Sequence, residues 1–278
     1  MAVWTNGAPV RLLAGTGKDR PGRELVVAGV FRPLAALVAT PLLRFGVPPP
    51  AVVLANAAAG LAAAALLAAG ELVAAALLLQ LKTLLDNADG LLARASGRVS
   101  LLGRYLDTEA DLLVNAALFA ALAAVTGRPW LALAAFLALT LVLSADFNLV
   151  ALSREARREP AEEPLAGGGR SERALALVYR VLFAPQDRLL RWLSGRRLER
   201  VAGSVNGELG RKAALAYHDP FTVGVLANLG LSTQLAVLGV CLLLGAPEAY
   251  LWLALASLLV LPPLQLRRER LARRALSR

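Results

Sequence analysis

Cysteine and histidine are almost absent from this chain of 278 residues, and both absences restrict its chemistry. A single cysteine, Cys241, excludes an intrachain disulfide. The single histidine, His218, is interpreted as an interfacial residue rather than as a catalyst. Residues 1–25 are polar and basic and lack the apolar segment of a cleavable signal peptide. We therefore expect the first membrane helix to act as an uncleaved signal.

Long apolar stretches, in contrast, are abundant. Apolar residues make up 57% of the chain, above the fraction of about 45–50% that is usual in soluble domains. They occur in blocks about as long as the roughly 20 residues that a helix needs to cross a bilayer. We therefore predict an all-α, polytopic membrane protein with six transmembrane helices. The predicted spans are residues 50–69, 72–93, 101–125, 129–150, 221–244 and 249–266.

The basic residues are distributed unevenly, which indicates the orientation of these spans. Lys and Arg number 30 against 20 Asp and Glu, and a net charge of +10 could by itself indicate binding to nucleic acid. With the N-terminus inside, however, the outward loops near Gly70, Gly127 and Gly245 contain a single basic residue, Arg128. The positive-inside rule then predicts a multi-pass cell-membrane protein with both termini in the cytoplasm, surrounded by lipids and without a nucleic-acid partner.

Two segments outside the spans differ from simple loops. Residues 1–45 are predicted to form a cytoplasmic arm followed by an interfacial amphipathic helix from Glu24 to Phe45. Residues 46–278 are predicted to form the six-helix transmembrane catalytic domain. Within that domain, residues 151–218 are predicted to be a cytoplasmic insert that combines a flexible linker with one or two interfacial helices.

Four aspartates lie in an apolar part of the chain. Asp86 and Asp89 are close to the end of the second predicted span, and Asp107 and Asp111 are close to the start of the third. Spacings of three and four residues place each pair on one face of a helix. The connection between the two spans is short, so the helices are antiparallel neighbours that can bring the four carboxylates together. Four such anions need cations, and their oxygen atoms suit Mg²⁺ or Mn²⁺.

Small residues and two cations surround this cluster. Gly90, Ala93 and Gly103 leave room for a bulky ligand to approach the backbone, and Arg94 offers a planar fork for a phosphate. Lys82, one helical turn before Asp86, is interpreted as snorkelling or ion-paired rather than bound to an acceptor phosphate. Metal ions, a phosphate and a membrane together favour phosphoryl transfer on a lipid. Other polar residues could line an acceptor pocket: Asp146, Asn148, Arg154, Arg211, Lys212, His218 and Asp219.

Two other interpretations of the aspartates are less favoured. In a purely structural one, the first two aspartates cap a helix and the last two pair with Arg98 and Arg104. In the other, the protein is an ion transporter that uses the acids as a proton relay. The first is disfavoured because four aspartates at this spacing would have to be coincidental, and the second because a relay does not require Gly90, Ala93, Arg94 and Gly103 at their positions.

The spacing of these residues resembles a family signature. The pattern Asp86, Asp89-Gly90, Ala93-Arg94, Gly103, Asp107 and Asp111 is similar to that of class I of the CDP-alcohol phosphotransferase family, and every defining position is filled. The resemblance implies an enzyme of phospholipid biosynthesis, in which an alcohol attacks the phosphorus of a CDP-linked donor and CMP departs. The favoured donor is CDP-diacylglycerol and the favoured acceptor a small polar alcohol. An alternative is a CDP-linked head group with diacylglycerol as acceptor.

The resemblance also implies roles for individual residues. Two metal ions, Mg²⁺ or Mn²⁺, would be held by Asp86, Asp89, Asp107 and Asp111. Asp111 would in addition be the catalytic general base that takes the acceptor proton. The positions that correspond to the CDP-donor site are Gly90, Ala93, Arg94, Ser100 and Gly103. By the same analogy we expect a homodimer.

Overall fold

The computed structural model describes Gly22, residues 24–159, Leu177, Arg180, residues 184–203 and residues 207–277. The predicted arm up to residue 21 and most of the predicted linker in the insert lie outside these residues. The helices, in chain order, are α1 (Arg32–Arg44), α2 (Pro49–Ala68), α3 (Leu72–Ala95), α4 (Leu101–Thr126), α5 (Pro129–Arg157), α6 (Ala184–Ala202), α7 (Glu208–Tyr217), α8 (Pro220–Ala227), α9 (Leu231–Leu243), α10 (Pro247–Ser257) and α11 (Leu261–Leu276).

The described residues form helices and no strand, as the sequence predicted. Six helical segments among them are long and apolar enough to cross a membrane, which makes this a multi-pass membrane protein. These segments are Val27–Arg44, Pro49–Ala68, Gly103–Thr126, Pro129–Arg157, Glu208–Leu243 and Pro247–Leu276. The predicted second span forms α3, which is 24 residues long. It is not one of these six segments, and it carries the charged residues Lys82, Asp86, Asp89 and Arg94.

Small side chains allow the central helices to pack closely. α2 lies against both α3 and α4, and the contact between α2 and α3 is the most extensive in the bundle. Ala63, Ala64, Ala75 and Ala76 belong to the core that these helices share with α5, α9 and α10. Because lipid is as apolar as the helix surfaces, close van der Waals packing of small residues is the main source of such association.

The N-terminal helix packs on α3 rather than standing apart. A π-helical turn, Val27–Phe31, leads into α1. One face of α1 is buried against Ala88 and Leu91, and it consists of Ala35, Ala36 and Ala39. The helix beside the aspartates is therefore covered by the N-terminal segment.

The fifth predicted span is not one continuous helix, which corrects the sequence-based boundary of residues 221–244. α8 ends at Ala227 and α9 begins at Leu231. The Asn228 side chain donates to the Gly224 carbonyl (2.8 Å) and accepts from the Leu25 amide (2.7 Å). Asn228 and Gly230, two residues of low helix propensity, lie at the break, and the predicted span ran through them.

A helix of the insert is fixed to the bundle. α6 begins at Ala184, so that Pro185 occupies its first turn, where no amide donor is needed. Asp187 accepts hydrogen bonds from Ser144 Oγ (2.9 Å) and Asn148 Nδ2 (2.6 Å) of α5. Arg191 donates to Asn148 Oδ1 (3.1 Å). This part of the insert therefore forms a wall of the bundle.

Candidate functional site

Three of the four aspartates converge at the end of the bundle where α3 and α4 are connected. Asp86, Asp89 and Asp107 each offer a carboxylate oxygen, and these atoms lie within 4.8 Å of one another. The sequence predicted that α3 and α4 would be antiparallel neighbours, but α2 is the helix that packs against both, and the direct contact between α3 and α4 is at most slight. These three carboxylates on two helices are close enough together that they could hold a cation.

The fourth aspartate has a different partner. Asp111 Oδ1 accepts from Lys82 Nζ at 2.5 Å, and the same ammonium lies 3.4 Å from Asp86 Oδ1. Lys82 is only 1% exposed. Of the two interpretations made from the sequence, ion pairing is therefore confirmed and snorkelling is wrong, because the ammonium points into the bundle and not toward a surface.

Asn56 is a site residue that the sequence did not indicate. Its Nδ2 donates to Asp86 Oδ1 at 3.0 Å, from the facing helix α2. Asn56 is itself 1% exposed. The sequence does offer one indication, because Asn56 is an isolated amide among alanines and leucines in a predicted span. A buried amide in an apolar helix needs a polar partner, so a polar group on a neighbouring helix could have been expected.

A cavity of about 830 Å³ opens beside the aspartates. All four aspartates line it, together with Gly90 and Arg94 from the signature. Its volume is within the range of about 300–1,000 Å³ that is typical of small-molecule sites. Further polar lining residues were not predicted from the sequence, among them Arg104 and Tyr105 of α4, Arg32 of α1, Ser144 of α5 and Asp187 of α6.

Gly90 makes room for the arginine of the signature. A Cβ atom at this position would lie 3.3 Å from Arg94 Nη1, one helical turn away. The absence of a side chain therefore lets the guanidinium lie along α3 at the cavity wall. A guanidinium in that position can bind a phosphate through two parallel hydrogen bonds.

The other predicted donor-site residues have a local structural function. Ser100 is the N-cap of α4, and its hydroxyl accepts from the Gly103 amide at 3.0 Å. A Cβ atom on Gly103 would lie 3.1 Å from that hydroxyl. Ser100, Gly103 and Ala93 are not among the cavity-lining residues that the structure describes.

The residues suggested for an acceptor pocket are mostly elsewhere. Asp146 lines the cavity, whereas Asn148, Arg154, Arg211, Lys212, His218 and Asp219 are absent from its described lining. His218 is buried rather than interfacial, and its Nδ1 lies 3.2 Å from Arg268 Nη2. Arg268 also donates to Ser194 Oγ (3.0 Å) and to the Tyr217 carbonyl (3.0 Å), so this cluster joins α6, α7 and α11.

The residues of the triad fit a divalent metal ion. Asp89 is 6% exposed, and its Oδ2 has no hydrogen-bond partner among the residues that the structure describes. A buried carboxylate oxygen in that state requires a compensating charge. Three carboxylates provide the hard oxygen ligands that Mg²⁺ and Mn²⁺ prefer.

Comparison with known proteins agrees with this arrangement. A family model described as CDP-alcohol phosphatidyltransferase matches residues 47–195, which include the aspartates, their connection and most of the cavity wall. Comparison with curated proteins finds no significant match. The family consists of membrane enzymes that transfer a phosphatidyl group from a CDP-alcohol to an alcohol acceptor. The matched region covers more than half of the chain, and the protein belongs to the CDP-alcohol phosphatidyltransferase family.

Proposed function

We propose that this protein transfers a phosphatidyl group from CDP-diacylglycerol to a small polar alcohol and releases CMP. The observation that carries the proposal is the convergence of Asp86, Asp89 and Asp107 on one cavity. The apolar helices around the site support a lipid donor, because its acyl chains can stay in the bilayer. We further propose a cell-membrane location with both termini in the cytoplasm, where CDP-linked donors and polar alcohols are available.

Arginines on three helices suit a nucleoside diphosphate. Arg32, Arg94 and Arg104 line the same cavity as the aspartates. Guanidinium groups recognise phosphate oxygens through planar, charge-assisted hydrogen bonds. Arg94 and the small Gly90 would bind the diphosphate of the donor, and Arg32 would approach it from the N-terminal helix.

Asp86, Asp89 and Asp107 would hold Mg²⁺ or Mn²⁺. When bound, such an ion offsets the negative charge of the diphosphate and of the departing CMP. Asn56 supports this arrangement, because its hydrogen bond orients the Asp86 carboxylate.

Asp111 would be the general base. Its carboxylate takes the hydroxyl proton of the acceptor while the alcohol oxygen forms a bond to the phosphorus that carries the diacylglycerol. The bond from that phosphorus to the bridging oxygen breaks, and CMP leaves with this oxygen and its electron pair. The products are a phosphodiester lipid and CMP, and the proton on Asp111 is released to water.

An assay with purified protein tests this function. The full chain is incubated with CDP-diacylglycerol, Mg²⁺ or Mn²⁺ and a panel of small alcohols, with CMP release and lipid mass as readouts. We expect CMP and one new phospholipid, and no product after chelation of the metal. A product formed only from a CDP-linked head group and diacylglycerol would show that the donor is reversed.

Replacing Asp111 tests its proposed function as the general base more directly than the assay of the wild type does. Asp111→Asn removes the proton acceptor at nearly constant size, and we expect a loss of turnover of about 10²–10⁴-fold. The matched control is Glu208→Gln, since that carboxylate is 83% exposed and outside the cavity lining. Turnover near the wild-type value in Asp111→Asn would disprove the assignment of the base.

A further inference from the structure

Lys82 is a buried charge in the middle of the aspartate site. It belongs to α3, one turn before Asp86, and only 1% of its side chain is exposed. Its stem is enclosed where α2 approaches α4. A Cβ atom on Gly60 would lie 3.3 Å from Lys82 Cγ and 2.5 Å from Val114 Cγ1. The ammonium group is therefore directed toward the carboxylates by the packing around its stem.

The ammonium bridges carboxylates on two helices. It lies 2.5 Å from Asp111 Oδ1 on α4 and 3.4 Å from Asp86 Oδ1 on its own helix. The same Asp86 oxygen also accepts from Asn56 Nδ2 at 3.0 Å. A buried cation requires such partners, since removing it from water is costly unless opposite charges and hydrogen bonds compensate.

The ammonium lies between Asp86 and Asp111, where a second metal ion would otherwise be expected. Asp86, Asp89 and Asp107 form the group with ligand atoms within 4.8 Å, and Asp111 is outside that group. A metal ion between Asp86 and Asp111 would compete with the ammonium, which already donates to Oδ1 of both carboxylates. Two divalent ions together with the ammonium would also carry five positive charges against the four negative charges of the aspartates, and the excess is unfavourable in a water-poor interior.

We propose that the Lys82 ammonium takes the place of a second metal ion, so that the site binds one divalent cation on Asp86, Asp89 and Asp107. Asp111 is then held by a lysine and not by a metal. One divalent ion and one ammonium offset three of the four negative charges of the aspartates. The inference rests on the proposed function only in requiring a metal ion on the triad.

Counting bound Mn²⁺ tests the proposal without an activity assay. The full chain in detergent is titrated with Mn²⁺ at constant pH, and the free ion is measured by electron paramagnetic resonance. We expect one bound Mn²⁺ per chain in the wild type. Two bound ions would overturn the inference and leave the proposed function intact, whereas no bound ion would contradict the metal site on which both depend.

Variants of the lysine and its partner complete the test. Lys82→Met removes the charge at similar size, and we expect a second Mn²⁺ to bind between Asp86 and Asp111. The control Lys212→Met, at a lysine that is 60% exposed, should still bind one ion. A single ion in folded Lys82→Met would overturn the inference.

A further variant keeps the proposal testable if Lys82→Met fails to fold. Asp111→Asn leaves the ammonium in place and removes a carboxylate that is not a metal ligand on this proposal. We expect it to bind one Mn²⁺ with an affinity within about threefold of wild type. Loss of the ion, or a much larger decrease in affinity, would show that Asp111 is a ligand and would overturn the inference.

Discussion

Asn56 is not one of the proposed metal ligands, but its amide holds the carboxylate of one of them, Asp86, in place. It is buried in α2 and donates to Asp86 across the contact with α3. An amide donor fixes the orientation of its carboxylate partner. Residues in this position commonly affect metal affinity nearly as much as the ligands do.

Removal of this amide should weaken metal binding. For Asn56→Leu we expect a decrease in Mn²⁺ affinity of about 10–100-fold, because Asp86 loses the donor that orients it. The measurement is the same Mn²⁺ titration that counts the bound ions. Unchanged affinity would show that Asn56 only fills space between the helices.

A half-buried amide on α3 provides the control. Gln80 also lies on α3, but its Nε2 donates to the Leu235 carbonyl of α9 at 3.2 Å, away from the aspartates. Gln80→Met removes an interhelical hydrogen bond and leaves the metal ligands untouched. Its Mn²⁺ affinity should equal that of the wild type.

At the level of whole helices, the site depends on how closely α2 approaches α4. Gly60 is the point of contact, since a Cβ atom there would lie 2.5 Å from Val114 Cγ1 and 2.9 Å from Cγ2. The short, branched valine side chain cannot move aside without shifting the backbone. Any separation of these helices would also loosen the enclosure around Lys82.

We therefore expect Gly60→Ala to destabilise the bundle by about 1–3 kcal/mol, the usual cost of overpacking a close contact. Thermal unfolding in detergent measures the change. Combining it with Val114→Ala should restore most of the loss, because the clashing methyl groups are then absent. If the double variant were no more stable than Gly60→Ala, the clash would not be the cause.

A helical glycine without neighbours is the matched control. Gly195 lies within α6, and a Cβ atom there would meet nothing within 4 Å. Gly195→Ala should be neutral or raise stability by about 0.4–1 kcal/mol, because alanine restricts the unfolded chain. The contrast separates packing at Gly60 from the general effect of replacing glycine in a helix.

Local patterns in the sequence predicted some elements well and others poorly. The helices that carry the aspartates were predictable because apolar length and carboxylate spacing are local properties. The contact between Asn228 and Leu25 was not, since the two residues are far apart in the chain. Asn56 and Asp187 were missed for the same reason, because each acts on a residue of another helix. Ser100 and Gly103 matched the signature, yet their contacts in the structure are those of a helix cap.

The orientation of the whole molecule can be tested with cysteine substitutions in a Cys241→Ala parent. Ala69→Cys is at the exposed end of α2 beside the loop at Gly70, and Ser277→Cys follows α11. A membrane-impermeant maleimide should label the first variant in intact cells and the second only after permeabilisation. The reverse pattern would place the aspartate cavity on the outer side, away from the cytosolic supply of nucleotides.

The hydrogen bond between Leu25 and Asn228 affects the order in which the structure forms during synthesis. The two residues are 203 positions apart, so α1 leaves the ribosome long before its tether exists. At a synthesis rate of about 5–20 residues per second, the delay is roughly 10–40 s. In the later part of that interval the nascent chain already carries all four aspartates, while the segment that leads to Arg32 is not yet bound to Asn228. This end of the cavity wall is therefore anchored only once the chain as far as Asn228 has been made, with α9, α10 and α11 still to follow.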